Sequence, residues 1–497
     1  MNERLLQITD ISDLSLRSAS NSVRIMKVFI GTLNIGNNGL QIKQGFKEIG
    51  IDASVGLVGT DYIYDYSSID FDLTELYKEG LKKVNIGEDP KELLFESRWK
   101  ELLDFDIYLF ISSHTLLPGA LDLPILRHLK KIIISYFPGS DTRYGKHGKE
   151  FNRFYGHSFS EDLAQDITTY DATIFQVSKR PRFQDSFVNK LHNIRMAEKY
   201  AHMIMSNPCA NVLAIRPYMG LVIPFDPENH PPNIPGRDVP VVVHAPTNVL
   251  FKRSDIIINA AFEAWAKGSA FELKLLRNVS NTRVKEALHD CDILIDQIAC
   301  GKTGLLGLEG LTMGCVVLGC NDFGAMPIPN VHSPVIRIDE RNIATTLERV
   351  VREKETRIEL AKAGLDYVNK GFHKAASIAQ YIMDSLSRSL EGDFDYYPQQ
   401  FFENPDPPSH EHMPKYLMNL TVEIMEEYGV NNTASIARLK ENNQISSIPT
   451  ASEWDTSKMA KHPWGFQSAN AIFPLKPDDA PEKRGKNWSA DYQLAPI

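Results

Sequence analysis

The chain has 497 residues, more than one hydrophobic core usually covers, and its length therefore predicts two domains with additional segments. Its composition, 43% hydrophobic and 24% charged, is that of a globular protein and excludes a chain dominated by disorder or by repeats. The formal net charge of -9 argues against a nucleic-acid-binding protein, because such a protein would carry a strongly basic domain.

No segment has the pattern of a secretory signal or of a membrane span. Residues 1–25 scatter charges and serines among their apolar residues, and no stretch reaches the roughly 20 apolar residues that a spanning helix needs. We therefore expect a cytoplasmic protein. Two short basic runs, at residues 127–131 and 179–182, would suit acidic lipid, so peripheral membrane contact stays open beside the reading as solvated surface.

Apolar runs of strand length alternate with amphipathic or polar stretches along most of the chain. In the first half these runs are IMKVFIG, DASVGLVG, DIYLFIS, KKIIISYF, DATIFQV and HMIMSN, and in the second half VPVVVHAP, FELKLL, CDILIDQ, CVVLGC and VIRI. The alternation predicts βα units in parallel sheets that are buried on both faces. The expected fold class is α/β, with two Rossmann-like domains that face each other across a cleft.

Composition suggests the domain boundaries. Prolines crowd residues 218–240, which predicts an interdomain linker without regular structure. The predicted division is a preamble at 1–25, a first domain at 26–217, the linker, a second domain at 241–390 and a C-terminal extension at 391–497. The extension is rich in Pro, Asn, Ser and acidic residues, and one amphipathic helix is predicted in it around Tyr416 to Tyr428.

Candidate residues of the first domain lie where its strands end, since doubly wound sheets bind ligands at the carboxyl ends of their strands. Gly36 and Asn37 lie in a loop that leads into an amphipathic helix, whose N-terminal N–H groups suit an anion; a plain tight turn is the alternative. His114 follows DIYLFIS and can orient a sugar hydroxyl, unless it is an ordinary loop histidine. Asp141 follows KKIIISYF and can hold hydroxyls, with a helix cap as the alternative.

Candidate residues of the second domain suit a nucleotide. Lys252 precedes a predicted helix, and a lysine beside a helix N-terminus suits a diphosphate, although exposed lysines are common. Glu309 stands among leucines in the helix that opens near Gly304, and such a carboxylate needs a partner. A ribose diol would supply two O–H donors, and a structural salt bridge is the alternative.

Three other patterns are not interpreted as sites. The string Gly301-Lys302-Thr303 resembles the end of a P-loop, but Asp296 stands where that motif has its first glycine. Three D-x-D strings start at residues 70, 104 and 393, and we assign them no metal. The five cysteines include no C-x-x-C pair and lie in or beside apolar runs, which predicts buried thiols.

Residues 26–385 resemble the retaining glycosyltransferases of the GT-B fold that carry the glycosyltransferase group 1 domain. The segment HAPTN…FKRS resembles the strand-loop-lysine segment of this family, and DILIDQ followed by GLLGLEGLTMGCVVL resembles its donor-binding core. YVNKGFHKAASIAQYI resembles the helix that crosses back to the first domain, and PGSDTR resembles a bacterial branch of the family.

This resemblance implies a donor that is a nucleotide-diphosphate sugar, and a saccharide or lipid-linked acceptor bound by the first domain. It implies that Lys252 faces the donor diphosphate, that Glu309 binds the ribose, and that Gly304 and Leu305 approach the phosphates through their backbone. No cofactor and no metal is required in this family. His114 and Asp141 are then the candidate catalytic residues, and Gly36 and Asn37 belong to the nucleotide site.

The chain also departs from the family pattern. The family has a second glutamate eight positions before Glu309, where this chain has Gly301, and a histidine where it has Pro138. Lys252 is followed by Arg253 instead of glycine. Three functions stay open: a transferase, retaining and metal-independent in the family's manner; a catalytically silent binding or assembly subunit on the same scaffold; and a sugar-nucleotide epimerase.

Overall fold

A computed structural model describes most of the residues between 26 and 396 and two segments of the C-terminal extension. The described residues are 26–59, 67–139, 142, 186–207, 211, 214–225, 231–247, 249, 252–277, 279–298, 303–320, 333–396, 415–428 and 491–494. Within them the chain forms two separate sheets with helices between successive strands, which confirms the predicted α/β class.

The first sheet has seven parallel strands in the order β3-β2-β1-β4-β5-β6-β7. The strands are β1 (Lys27–Thr32), β2 (Asp52–Leu57), β3 (Phe71–Asp72), β4 (Ile107–Ile111), β5 (Ile132–Tyr136), β6 (Met203–Ser206) and β7 (Met219–Gly220). The order of the strands reverses between β1 and β4, and at such a switch point the loops after the two strands separate and leave a crevice.

Helices cover both faces of the first sheet. They are α1 (Asn38–Glu48), α2 (Thr74–Asn85), α3 (Pro90–Phe95), α4 (Ser97–Lys100), α5 (Leu123–His128) and α6 (Ser186–Tyr200). Successive side chains of a strand point to opposite faces, so Val28 and Ile30 of β1 enter one apolar cluster and Phe29 enters another. Both clusters are fully buried, as the uninterrupted apolar runs predict.

The second sheet has the order β12-β11-β10-β8-β9-β13. Its strands are β8 (Val241–His244), β9 (Glu272–Leu276), β10 (Ile293–Ile295), β11 (Val316–Gly319), β12 (Ile336–Arg337) and β13 (Asp491–Leu494). The first five are parallel, while β13 pairs antiparallel with β9. The strand order reverses between β8 and β10, which gives this sheet its own switch point.

The remaining helices are α7 (Ser254–Ala266), α8 (Asn281–His289), α9 (Leu305–Thr312), α10 (Ile343–Arg352), α11 (Lys354–Asn369), α12 (Ala375–Glu391) and α13 (Lys415–Glu427). Of these, α12 returns to the first sheet and packs along α1, as the resemblance implies. The two helices approach so closely that a Cβ added at Gly45 would overlap the carbonyl oxygen of Ala375. Just before α12, the His373 carbonyl accepts a 2.7 Å hydrogen bond from the backbone N–H of Phe225.

The predicted helix of the C-terminal extension is confirmed as α13, which packs on α6 of the first domain. Arg195 of α6 donates from Nε to the Thr421 hydroxyl at 3.1 Å, and the same arginine forms a buried ion pair with Glu198. Lys199 adds ion pairs to Glu423 and Glu427. The extension thus contributes to the core of the first domain.

Some predictions for the chain's organisation differ from the structure or fall outside it. The proline-rich segment 218–240 was expected to lack regular structure, but its residues Met219–Gly220 pair with β6 because their N–H and C=O groups continue the parallel ladder. The run DATIFQV lies outside the described residues. In the first basic run, Lys131 donates to the carbonyl oxygen of Phe105 at 2.7 Å. No helix among the described residues is long and apolar enough to cross a membrane.

Candidate functional site

The loops at the two switch points approach each other. The loop after β1 contains Gly36, and α9 of the second domain begins at Leu305. A Cβ built on Gly36 would lie 3.8 Å from the Cδ2 atom of Leu305, within ordinary van der Waals contact. The predicted nucleotide residues of the two halves are therefore neighbours, although 269 positions separate them along the chain.

The loop after β1 turns sharply into α1. Gly36 has a φ of 62° and Asn37 a φ of 60°, so both residues are in the left-handed region. The Oδ1 atom of Asn34 accepts a hydrogen bond from the N–H of Gly39, at 2.8 Å, and satisfies one donor of the first turn of α1. The tight turn is thus observed, and glycine suits it because Gly36 adopts a left-handed backbone conformation.

Glycines let α9 lie directly on the second sheet. A Cβ at Gly310 would come within 2.5 Å of Leu294 in β10, and one at Gly307 would come within 2.7 Å of the Cγ2 atom of Thr303. A side chain at either position would therefore require the neighbouring side chain or the helix to shift. The close packing fixes the N-terminus of α9, at Gly304, beside the carboxyl end of β10.

Lys252 and Asp296 form an ion pair at this N-terminus. Lys252 lies two residues before α7, and its side chain is 13% exposed, while Asp296 follows β10 directly and its side chain is 2% exposed. The Oδ1 atom of Asp296 accepts from Nζ of Lys252, and its Oδ2 atom accepts from the N–H of Gly304 at 3.4 Å. A buried carboxylate thus lies between the predicted diphosphate lysine and the first turn of α9.

His244 links the two segments that carry Lys252 and Asp296. It is the last residue of β8, and its Nδ1 atom hydrogen-bonds to the carbonyl oxygen of Ile295 at 2.8 Å. Its Nε2 atom hydrogen-bonds to the hydroxyl of Ser254, the first residue of α7, also at 2.8 Å. Burial, together with a smaller effect of the Lys252 cation, lowers the pKa of His244 to about 4, so the ring is neutral at pH 7. The histidine fixes where α7 begins relative to β10.

Glu309 has a partner in the structure. It lies in α9, 6% exposed, and its Oε1 atom accepts a 3.0 Å hydrogen bond from the Nδ2 atom of Asn281, the first residue of α8. The amide of Asn281 is thus one of the partners of this carboxylate.

The structure gives fewer contacts for the candidate residues of the first domain than for those of the second domain. His114 is half-buried in the loop after β4, two residues beyond Ser112, whose φ is 72°. Asp141 lies outside the described residues. The buried carboxylate of Asp122 accepts from the hydroxyl of Thr115, at 2.5 Å, and so closes the turn that follows His114. Burial raises the pKa of Asp122 to about 6.

The acidic strings have structural partners. Asp70 binds Lys43, Asp104 binds Lys27, and Asp393 binds Arg388, each at 2.6 Å between oxygen and nitrogen. Asp395 accepts from the N–H of Gly220 at 2.8 Å. Within the described part of the chain, no group of three or more metal-ligating side chains is placed to hold an ion. The described cysteines, Cys291, Cys315 and Cys320, are buried free thiols, as predicted.

Sequence reasoning missed three residues of the site: Asp296, His244 and Asn281. The first two end the apolar runs CDILID and VPVVVH, so their position at the carboxyl ends of β10 and β8 was readable. The partners of these two residues could not be predicted, because they depend on the paths of loops, which have no periodic sequence pattern. Asn281 reaches Glu309 from another helix, 28 positions away.

Among the comparisons with known proteins, only the comparison with solved structures finds similar proteins. No family model matches the sequence, and no curated protein matches it. Solved structures that are similar include HepE of Anabaena in complex with UDP, with 13% identity, 73% of this chain and 100% of that chain covered, and a TM-score of 0.45. Sucrose-phosphate synthase from Thermosynechococcus elongatus has 11% identity, 74% and 100% coverage, and a TM-score of 0.46.

The catalytic domain of starch synthase IV from Arabidopsis thaliana, bound to ADP and acarbose, has 11% identity and a TM-score of 0.45, with 74% of this chain and 99% of that chain covered. At these identities and TM-scores the similarities assign the chain to no family. The strand orders of its two sheets establish what the chain is in fold: an α/β protein with two Rossmann-like units and a C-terminal extension.

Proposed function

We propose that the chain is a glycosyltransferase that moves a sugar from a nucleotide-diphosphate sugar to a saccharide or lipid-linked acceptor. The observation that carries this proposal is the position of Lys252 beside the N-terminus of α9 at the switch point of the second sheet, with Glu309 further along the same helix. The loop of Gly36 faces them from the first domain. Open α/β sheets bind their ligands in such a crevice.

The donor fits this arrangement by charge. Lys252 and the free N–H groups of the first turn of α9 supply positive charge for a diphosphate. Glu309 lies five residues beyond Gly304, about 7.5 Å further along the helix axis, a distance suited to the ribose of the same nucleotide. A charge-assisted hydrogen bond from each ribose hydroxyl to Glu309 would contribute about 1.5–3 kcal/mol.

The proposed chemistry needs little from side chains other than charge. As the sugar leaves the nucleotide, negative charge gathers on the diphosphate, and Lys252 with the α9 N-terminus would stabilise it more in the transition state than in the ground state. An acceptor hydroxyl would be oriented from the first domain by His114 and Asp141. We propose retention of anomeric configuration and no requirement for a metal, in line with the family that the sequence resembles.

The test uses the purified full chain with a panel of UDP, ADP, GDP and their sugars, with and without Mg²⁺. A ligand at 100 times its Kd stabilises the folded state by about 2.7 kcal/mol and raises the midpoint of thermal unfolding. We expect one nucleotide to raise the midpoint, and Glu309→Gln to reduce that rise. Glu286→Gln is the matched control, because Glu286 lies on neighbouring α8, is 57% exposed and pairs with Arg283.

The outcomes separate the three functions. Release of the nucleoside diphosphate together with a glycosylated acceptor supports the transferase. A nucleotide sugar that changes without any acceptor identifies an epimerase. Nucleotide binding without turnover across a broad acceptor panel identifies a silent subunit. If no nucleotide shifts the midpoint in the wild-type protein or in any variant, a nucleotide site in the second domain is refuted.

A further inference from the structure

The ion pair of Lys252 and Asp296 lies where the proposed function would place the donor phosphates. Asp296 is buried and Lys252 is largely buried, with side chains 2% and 13% exposed, and the Oδ1 atom of Asp296 contacts the ammonium group directly. The lysine charge is therefore already neutralised from within the protein. This observation is independent of the family resemblance, which gives Asp296 no role.

The second oxygen of Asp296 contacts the N-terminus of α9, which is the other source of positive charge at this site. Its Oδ2 atom lies 3.4 Å from the N–H of Gly304, and 3.3 Å from where a Cβ on Gly307 would be. The carboxylate thus lies over the first turn of α9, where a helix of eight residues presents free N–H groups. One aspartate engages the same lysine and the same helix end that a diphosphate would engage.

We infer that Asp296 is an internal anion in the donor phosphate subsite, and that it sets the affinity of the site for diphosphates. This inference rests on the proposed function. A bound diphosphate shares Lys252 with Asp296 and displaces the long contact of Asp296 with Gly304. Asp296 therefore opposes ground-state binding of donor and product by repulsion, and it acts as a specificity residue without touching the sugar.

The test removes the charge of Asp296 and keeps its shape. Even at the dielectric constant of water, the repulsion between two like unit charges a few ångströms apart weakens binding by severalfold or more. We expect Asp296→Asn to bind the preferred nucleoside diphosphate about tenfold more tightly than the wild-type protein, as measured by titration calorimetry. Inorganic pyrophosphate should gain similarly, whereas the parent nucleoside, which lacks phosphates, should bind equally to both proteins.

The control removes the same charge from the opposite end of the same strand. Asp290 precedes β10, is 50% exposed and pairs with Arg237 and Lys274, so Asp290→Asn should leave every affinity within about twofold. Asp296→Ser is a second neutral variant, and the unfolding midpoint of each protein verifies that it is folded.

Equal or weaker diphosphate binding by the folded Asp296→Asn protein overturns the inference and makes Asp296 a support for Lys252. An equal gain in Asp290→Asn overturns it as well, since the effect would then be one of net charge. If neither the wild-type protein nor the Asp296 variants bind any nucleotide, the proposed function itself fails.

Discussion

Replacement of Lys252 by methionine would keep most of the aliphatic stem and remove the cation that faces Asp296. The remaining carboxylate is only 2% exposed, and its other observed contact is the 3.4 Å hydrogen bond from Gly304. Removal of one partner of a buried ion pair costs about 3–5 kcal/mol, and the nearby helix N-terminus would return up to about 1 kcal/mol of this. We therefore expect a loss of about 3 kcal/mol in the free energy of unfolding.

For a domain of this size, 1 kcal/mol corresponds to a shift of roughly 2–4 °C, so the transition of the second domain should fall by about 6–12 °C in scanning calorimetry at pH 7. Lys252→Met combined with Asp296→Asn should recover most of the loss, because no unpaired charge remains buried. Lys362→Met, a change of an exposed lysine on α11, is the control and should shift the transition by less than 2 °C. A double variant no more stable than Lys252→Met would refute the reasoning.

Three further predictions concern the site and its support. His244→Gln should abolish a gain in stability of about 3 kcal/mol between pH 4 and pH 6.5. The folded-state pKa of His244 is depressed, so in this window the unfolded chain binds the extra proton; stability therefore rises as the pH rises and falls as the pH falls, as acid-denaturation series would show. Asn281→Ala should weaken nucleotide binding less than Glu309→Gln does, because it removes a positioning bond and not the proposed ribose partner; calorimetric Kd values that rank otherwise would contradict this. Gly45→Ala should cost about 1–3 kcal/mol in denaturant unfolding, since its Cβ overlaps the backbone of α12, while Gly236→Ala, with its nearest neighbour at 3.9 Å, should cost little.

The sequence predicts the strands well because each one is an apolar run bounded by polar residues. The runs around Val28, Ile107 and Ile293 become β1, β4 and β10 with shifts of one or two residues at their ends. From such strands the two crevices follow, since parallel strands deliver their loops to one edge of the sheet. Lys252 and Glu309 were therefore placed on the correct edge without knowledge of any contact.

Contacts that depend on loop paths or on remote segments were not predictable in this way. Nothing in the run CDILIDQ states that Asp296 would bind Lys252, because the path of the loop after β8 decides that pairing. The antiparallel strand β13 is four residues in a polar tail, too short for periodicity to reveal. Met219–Gly220 is shorter still, and it joins the sheet only because β6 offers it an open edge.

The docking of α13 on α6 makes the first domain discontinuous along the chain. Arg195 and Glu198 are buried beneath Thr421, so the core around them is complete only when the residues of α13 are present. During synthesis the strands β8 to β12 of the second domain emerge from the ribosome before that helix does. The first domain, although it is translated first, therefore completes its core only after most of the second domain has been made, and until then Arg195 and Lys199 lack the partners that α13 supplies.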